Sequence, residues 1–387
     1  MTQSIEIQLR KKDCCGCSAC VYKCPVKCIR MKSDSKGFLM PVINKELCVD
    51  CGKCADVCPV LHKGKRNKIL AMYGGCHQNS EIVAKSSSGG AFSLFAEEIL
   101  RRGGMVCGAA IGKNYHVQHE LINRLELLDN LISSKYVQSD LGAVFMQIAS
   151  VLKHDYPVLF SGTPCQVAGL KNYIGEHFSD NLYTVEFICH GVPSPGIWEE
   201  YMKSLEKKCK GELKEINFRS KVRHGWHDFE FHFKDSSSNE YFSSVRDDIY
   251  YNGFLENLFL RPSCYQCPFK GKESVADISI ADFWGSEKYA PELDEYSNAG
   301  LSLITIFSDK GKLYFSECEK DFIGISVGDL DAYISNTASM CPPQKNRMTE
   351  KFYRYREKYG TYSALERYGA YTFRKKLVNK IKWKLQK

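Results

Sequence analysis

Two stretches of this chain repeat one uncommon spacing of cysteine. "CCGCSACVYKCP" carries Cys14, Cys17, Cys20 and Cys24 before Pro25, and "CVDCGKCADVCP" carries Cys48, Cys51, Cys54 and Cys58 before Pro59. Each is a C-x2-C-x2-C-x3-C-P run. The short intervals curl the backbone so that its N–H groups point at a common centre, and each proline stops the following helix from running backwards. The chain has 19 cysteines in 387 residues and opens on "MTQSIEIQLRKKDCC", which has no apolar leader core. A reducing compartment keeps thiols free, so metal binding or redox chemistry explains them better than disulfides do.

The paired runs are the bacterial ferredoxin arrangement, in which three cysteines of a run bind one cubane and the fourth crosses to the other. Cys14, Cys17, Cys20 and Cys58 are therefore expected to hold one [4Fe-4S] cluster, and Cys48, Cys51, Cys54 and Cys24 the second. Cys15 and Cys28 are left over. A zinc knuckle would use two C-x2-C pairs and would not explain the duplication with trailing prolines.

The remaining totals set bounds. With 44% hydrophobic and 25% charged residues the chain reads as globular, with room for two or three domains. No apolar run reaches the roughly 18 residues that span a bilayer, and a cytoplasmic protein is expected. The net charge of +8 sits largely in "KGKRNK" and the C-terminal tail, so a general basic face, and nucleic-acid binding with it, is not implied.

Beyond that linker, strand-like and helix-like segments alternate as in a mixed α/β domain. "SSSGGAFSLFAEEILRRGG" reads as a Ser/Gly loop before a helix, either an anion pocket for a nucleotide cofactor at Ser87, Ser88, Gly89 and Gly90 or a plain capped helix. "PVLFSGTPCQVAGLKNYI" and "LYTVEFICHGVPSPGIWEE" are two strand–turn–helix units. If their strands are parallel neighbours, Cys165 and Cys189 emerge together at the carboxyl edge, where open α/β sheets bind ligands. "PSCYQCPFKG" supplies Cys264 and Cys267, half of a four-ligand site. The four converge as a third iron–sulfur site, as a zinc site, or not at all, as buried thiols. "FRSKVRHGWHDFEFHFKDSSSNEYFSS" reads as a hairpin led by Arg219, Lys221 and Arg223, which face an anionic ligand or guard an exposed edge. His190, His224 and His227 are read as structural before proton carriers. "SVADISIADFWGSEKY" is a strand expected to deliver Asp277, Asp282 and Gly285 to a loop.

The ferredoxin run, "SSSGGAF", "GTPCQ", "CHGVPSPGIW", "FRSKVRHGW", "FLRPSCYQCPFKG" and "ADISIADFWG", in that order, resemble the family of coenzyme F420 hydrogenase/dehydrogenase beta subunits, in its bacterial branch fused to a ferredoxin domain. The resemblance spans nearly the whole chain. It implies a dicluster ferredoxin domain over 1–64 and a larger mixed α/β flavin-binding domain in two parts, 69–155 and 156–345, before a helical basic tail over 346–387. It implies FAD beside a third [4Fe-4S] cluster held by Cys165, Cys189, Cys264 and Cys267. Ser87 to Gly90, Gly162, Thr163, Asp277 and Gly285 are implied as flavin or substrate contacts. Spacing does not separate FAD from FMN.

The implied activity is an oxidoreductase moving electrons between a carrier, ferredoxin or reduced deazaflavin, and an acceptor that bacterial relatives suggest lies in surface-polysaccharide synthesis. Archaeal members end the aspartate motif in Gly-Asp, whereas here Ser286 follows "DFWG", so ferredoxin stands level with the deazaflavin as donor. The rival from another class is a flavin-free polyferredoxin relay serving a partner enzyme. In the tail, Phe373, Leu377, Ile381 and Leu385 fall at helical spacing among lysines, a pattern for peripheral membrane contact or for a helix docked on the body.

Overall fold

The computed structural model describes residues 4–175, 180–209 and 211–370; the amphipathic pattern from Phe373 to Leu385 lies outside them. The two cysteine runs follow the same backbone path for a local reason. Gly16 and Ser18 flank Cys17 with φ of 73° and 60°, and Asp50 and Gly52 flank Cys51 with φ of 49° and 75°. A left-handed residue on each side of the middle cysteine bends the loop into a concave nest of N–H groups. Each run meets this with one glycine and one short polar residue. Helix α1 (Ile5–Gln8) precedes the runs, which continue into α2 (Ala19–Lys23) and α3 (Lys53–Asp56). Between them β1 (Ile29–Ser33) and β2 (Leu39–Ile43) form an antiparallel hairpin with Ile29 opposite Ile43.

The linker is held down: β3 (Asn67–Lys68) pairs antiparallel with β12 (Glu273–Ser274), and Arg66 donates to the carbonyls of Pro268 and Lys270. The rest is built on eight strands: β4 (Ala71–His77), β5 (Met105–Ile111), β6 (Val117–Ile122), β7 (Val158–Gly162), β8 (Leu182–Phe187), β13 (Ile278–Asp282), β14 (Ser302–Ile306) and β15 (Phe322–Ser326). Their order is β15-β4-β14-β13-β8-β7-β5-β6. The middle four, β5, β7, β8 and β13, run parallel, and antiparallel strands close both sides. Val158, Leu159 and Phe160 in β7 are fully buried, which is why that strand reads as a continuous apolar run rather than an alternating one. The expected mixed α/β architecture is what forms.

Helices α4 (Ser80–Lys85), α5 (Ala91–Arg101), α6 (Val144–Leu152) and α7 (Pro164–Ile174) connect these strands. α5 packs with Leu94, Phe95 and Ile99 against Ile304, Ile306 and Phe315 in one core cluster. In another, α6 and α7 set Phe145, Ile148 and Val167 against Phe160, where burial of each large side chain contributes about 1.5–3 kcal/mol. The same cluster takes in Ile5, Cys17, Ala19 and Ile29, so the ferredoxin unit shares a core with α7. Gly169 makes this approach possible: a Cβ there would stand 2.9 Å from Cys17 Cβ and 3.0 Å from its sulfur.

A second sheet, β9 (Leu213–Ser220), β10 (Glu230–Asp235) and β11 (Glu240–Ser244), is an antiparallel meander in which the expected hairpin gains a third strand. It packs through Phe218, Phe231 and Phe233 on α8 (Pro195–Cys209), α9 (Ile249–Leu255) and the helices Thr349–Tyr359 and Thr361–Tyr368. Among the described residues no helix is long and apolar enough to cross a membrane.

Candidate functional site

The ferredoxin cysteines fall into two neighbourhoods. Burial raises the Cys20 thiol, and the adjacent Cys14 and Cys58 raise it further. Cys17, packed on α7, stands beside Cys20 and Cys58. The other neighbourhood is a small cavity lined by Cys24, Cys48, Cys51 and Cys54. Backbone N–H groups aim at these sulfurs, those of Val26, Lys27 and Cys28 at Cys24 and those of Val60 and Leu61 at Cys58. The Ile5 N–H lies 3.4 Å from Cys54 Sγ. Burial raises the thiols of Cys17, Cys20, Cys54 and Cys58, and sulfurs so placed among backbone donors are ligands that a cationic core turns into stable thiolates. The residues present thus fit two [4Fe-4S] clusters.

The leftover cysteines have places too. Cys28 Sγ lies 3.4 Å from Cys24 Sγ on the wall of the second neighbourhood, and burial pushes it up to about 12. Cys15 is buried between the first neighbourhood and the rest of the chain, beside Cys165 and Cys17.

Cys165, Cys189, Cys264 and Cys267 come together although 102 positions separate the first from the last. β7 and β8 are parallel neighbours with Gly162 beside Glu186, so the chain leaves both strands at one edge. Cys165 follows in the first turn of α7, behind a capping box in which Thr163 N donates to Gln166 Oε1, and its sulfur lies 3.1 Å from Thr163 Oγ1. Cys189 comes two residues after β8 ends. The following loop pairs back on the segment before Cys264 through Arg261 N to Val192 O, and Val192 N points at Cys264 Sγ from 3.5 Å. Burial first, then the proximity of Cys264, Cys165 and Cys267, raises the Cys189 thiol against the pull of Lys270, whose Nζ donates to the Cys189 carbonyl. Among the described residues no three His, Cys, Asp or Glu side chains close to the spacing of a single bound ion.

Beside this group a cavity of about 460 Å³ opens between the carboxyl edge of the parallel strands and the β9–β11 sheet. Cys189 forms part of its wall. Ser87, Ser88, Gly90, Gly162 and Thr163 line it as well, whereas Gly89, Asp277 and Gly285 do not. Gly89 is pressed on the sheet backbone, where a Cβ would meet Gly75 O at 2.6 Å. Asp277 precedes β13 and Asp282 ends it, so a five-residue strand holds them at opposite edges of the sheet. Asp277, buried, accepts from Thr184 N and Oγ1 and from Ser308 Oγ, at 2.9, 2.6 and 2.8 Å. Its role is to tie strands together. Gly285 supplies a left-handed turn, φ 80°, just past Trp284, which does reach the cavity.

The cavity's charged groups carried weaker signals. Arg219, 3% exposed, ion-pairs with Asp282 at 2.5 Å and stacks 4.1 Å from the Phe229 ring, yet its Nε and Nη2 have no partner. Two residues on, Lys221 Nζ donates to the carbonyls of Val83, Ser88 and Ala299 and so clamps the serine loop. Ser87 Oγ in turn accepts from Ser134 N at 2.7 Å. His119 gives Nε2–H to Ser161 O, and burial lowers its pKa to about 4, so its ring is neutral with Nδ1 unpartnered. Burial lowers Lys135 to about 7. Of the three expected histidines only His190 lines the cavity, 2.6 Å from Asn257 Oδ1. His224 sits out at 3.8 Å from Glu230.

Residues 156–328 match the family described as the C terminus of the coenzyme F420 hydrogenase/dehydrogenase beta chain, and residues 13–61 match the 4Fe-4S dicluster domain. Residues 156–328 are thus similar to the C-terminal part of coenzyme F420 hydrogenase/dehydrogenase beta subunits. A 4Fe-4S dicluster domain precedes that part, and the chain is an iron–sulfur protein related to the subunits of those oxidoreductases. Among curated proteins it is similar to one of the subunits of the F(420)H(2) dehydrogenase of Methanosarcina mazei, 23% identical over 205 residues, which are 49% of this chain and 58% of that protein. It is also similar to a ferredoxin of Mycolicibacterium smegmatis, 48% identical over 42 residues, 11% of this chain and 35% of the ferredoxin. The chain thus spans little more than half of one relative and about a third of the other. Among solved structures, a chain of the F420-reducing [NiFe] hydrogenase complex from Methanosarcina barkeri aligns at a TM-score of 0.47 with 16% identity, over 70% of this chain and 89% of that one.

Proposed function

We propose that this chain is an iron–sulfur flavoprotein oxidoreductase in which the cavity holds FAD and the four later cysteines hold a third [4Fe-4S] cluster. One observation carries the reading: Cys189 belongs both to the four-cysteine group and to the cavity wall, so a planar cofactor in the cavity would abut the cluster. A bound flavin exchanges two electrons at once and passes them on singly to clusters. Ser87, Ser88 and Arg219 would receive its phosphates, with Lys221 fixing the serine loop. Gly162, Thr163 and Cys189 would face its ring, and the neutral His119 offers an acceptor at Nδ1. Apolar walls from Phe92, Leu131, Ile132 and Phe254 would exclude water.

From that group the contact through Cys15 leads to Cys17 and the first ferredoxin cluster, and then to the second, whose Cys51 is exposed among the exposed Val26, Leu47 and Val49. An external one-electron carrier such as ferredoxin would meet the chain there. Reduced deazaflavin, the alternative donor, would instead have to enter the cavity.

Acid extraction of anaerobically purified protein should release close to one equivalent of FAD per chain. Release of iron without any flavin would overturn the reading in favour of a flavin-free relay.

A further inference from the structure

We propose that Arg261 sets the electron affinity of the cluster held through Cys14, as a buried cation whose counter-charge is that cluster. The inference rests on the ferredoxin-cluster reading. Arg261 is 1% exposed, among the largest fully buried side chains of the protein. Its Nε donates to Cys14 O at 2.7 Å, Nη1 to Gln138 Oε1 at 2.8 Å and Nη2 to Leu39 O at 3.0 Å. Nη2 also lies 3.0 Å from Met40 Sδ and 3.8 Å from Cys14 Sγ. Every one of these partners is a carbonyl, an amide or a sulfur, and among the described residues no carboxylate pairs with it.

An ionised group in a dry interior is strongly unfavourable unless an opposite charge answers it, and arginine cannot escape by losing its proton. The fold has nevertheless wrapped the cysteine loop round this side chain: a Cβ on Gly16 would stand 2.7 Å from Nη1, and the Phe38 ring lies 5.4 Å from the guanidinium. An iron–sulfur core with four thiolates is an anion, and one added electron increases its charge. A fixed cation at the Cys14 end therefore favours the reduced cluster, as charge and hydrogen bonds to sulfur do generally. The residue comes from the other domain, three positions before Cys264, and its charge also acts on Cys165 and Cys264. It thus stands between the two sulfur groups, with Nε and Nη2 donating to the ferredoxin carbonyls of Cys14 and Leu39, and biases electrons toward that side.

The test is a redox titration followed by electron paramagnetic resonance on anaerobically purified full-length protein. Arg261→Gln removes the charge. Gln138→Glu sets a counter-charge at the Nη1 contact, at the loss of the Nε2 donation to Cys15 O. In both variants one ferredoxin cluster should become harder to reduce. Its reduced-to-oxidised ratio at the wild-type midpoint should fall at least tenfold, about 59 mV for one electron, with iron content unchanged. Arg261→Lys should restore most of the shift. An unchanged midpoint in a variant that keeps its iron overturns the proposal. If Arg261→Gln loses its clusters, Gln138→Glu decides alone. Wild-type protein without ferredoxin-type signals would instead sink the cluster reading on which the inference rests.

Discussion

Changing Cys264→Ala and Cys267→Ala together is expected to lower the iron content from about twelve to about eight per chain while both ferredoxin signals survive. The two cysteines lie in one turn, Pro262–Gln266 and the residue after it, and neither is fully buried. Cysteine to alanine at such positions removes little packing. The ferredoxin neighbourhoods draw all their sulfurs from residues 14–58 and stay intact. FAD should still bind, since its expected contacts at Ser87, Ser88 and Arg219 lie elsewhere on the cavity wall. What should vanish is communication: flavin reduced by dithionite or light would no longer re-oxidise through the ferredoxin clusters. If the four cysteines are only buried thiols, iron, flavin reoxidation and cluster signals would all match the wild type.

The second large effect concerns Arg219. Two buried nitrogens without partners, Nε and Nη2, are unfavourable by about 1–3 kcal/mol each, and phosphate oxygens would accept from both. Arg219→Met keeps the stem over Phe229 but would leave Asp282 without its cation, so the clean variant pairs it with Asp282→Asn. A charge-assisted hydrogen bond contributes about 1.5–3 kcal/mol, so FAD affinity of the double variant should fall about ten- to hundredfold. Fluorescence titration of flavin-stripped protein measures this. Riboflavin, which has no phosphate, should bind both forms alike. An equal loss for riboflavin would move Arg219 from the phosphate end of the cavity to the ring.

What could be read in advance followed the range of the interaction. The cysteine runs act over a few residues, so their nested loops follow from spacing, while the left-handed residues beside Cys17 and Cys51 that make the bend came to light in the structure. The meeting of Cys165 and Cys189 was legible because two strand–turn–helix units in succession almost oblige parallel neighbours. The aspartate motif misled in one respect. Asp277 and Asp282 look alike in sequence, but a strand of five residues puts only the latter at the ligand edge. Arg261 gave no signal at all, because a lone arginine in a loop reads as solvated, and its burial exists only once the ferredoxin loop closes over it. The orphan donors of Arg219 and the neutral His119 are likewise products of assembly, set by Asp282 and Ser161 from distant segments.

Iron and acid-labile sulfide, counted on protein purified without exposure to air, test the central claim most directly. Three cubanes predict about twelve of each per chain. About eight of each, with Cys165, Cys189, Cys264 and Cys267 open to alkylation, would contradict it.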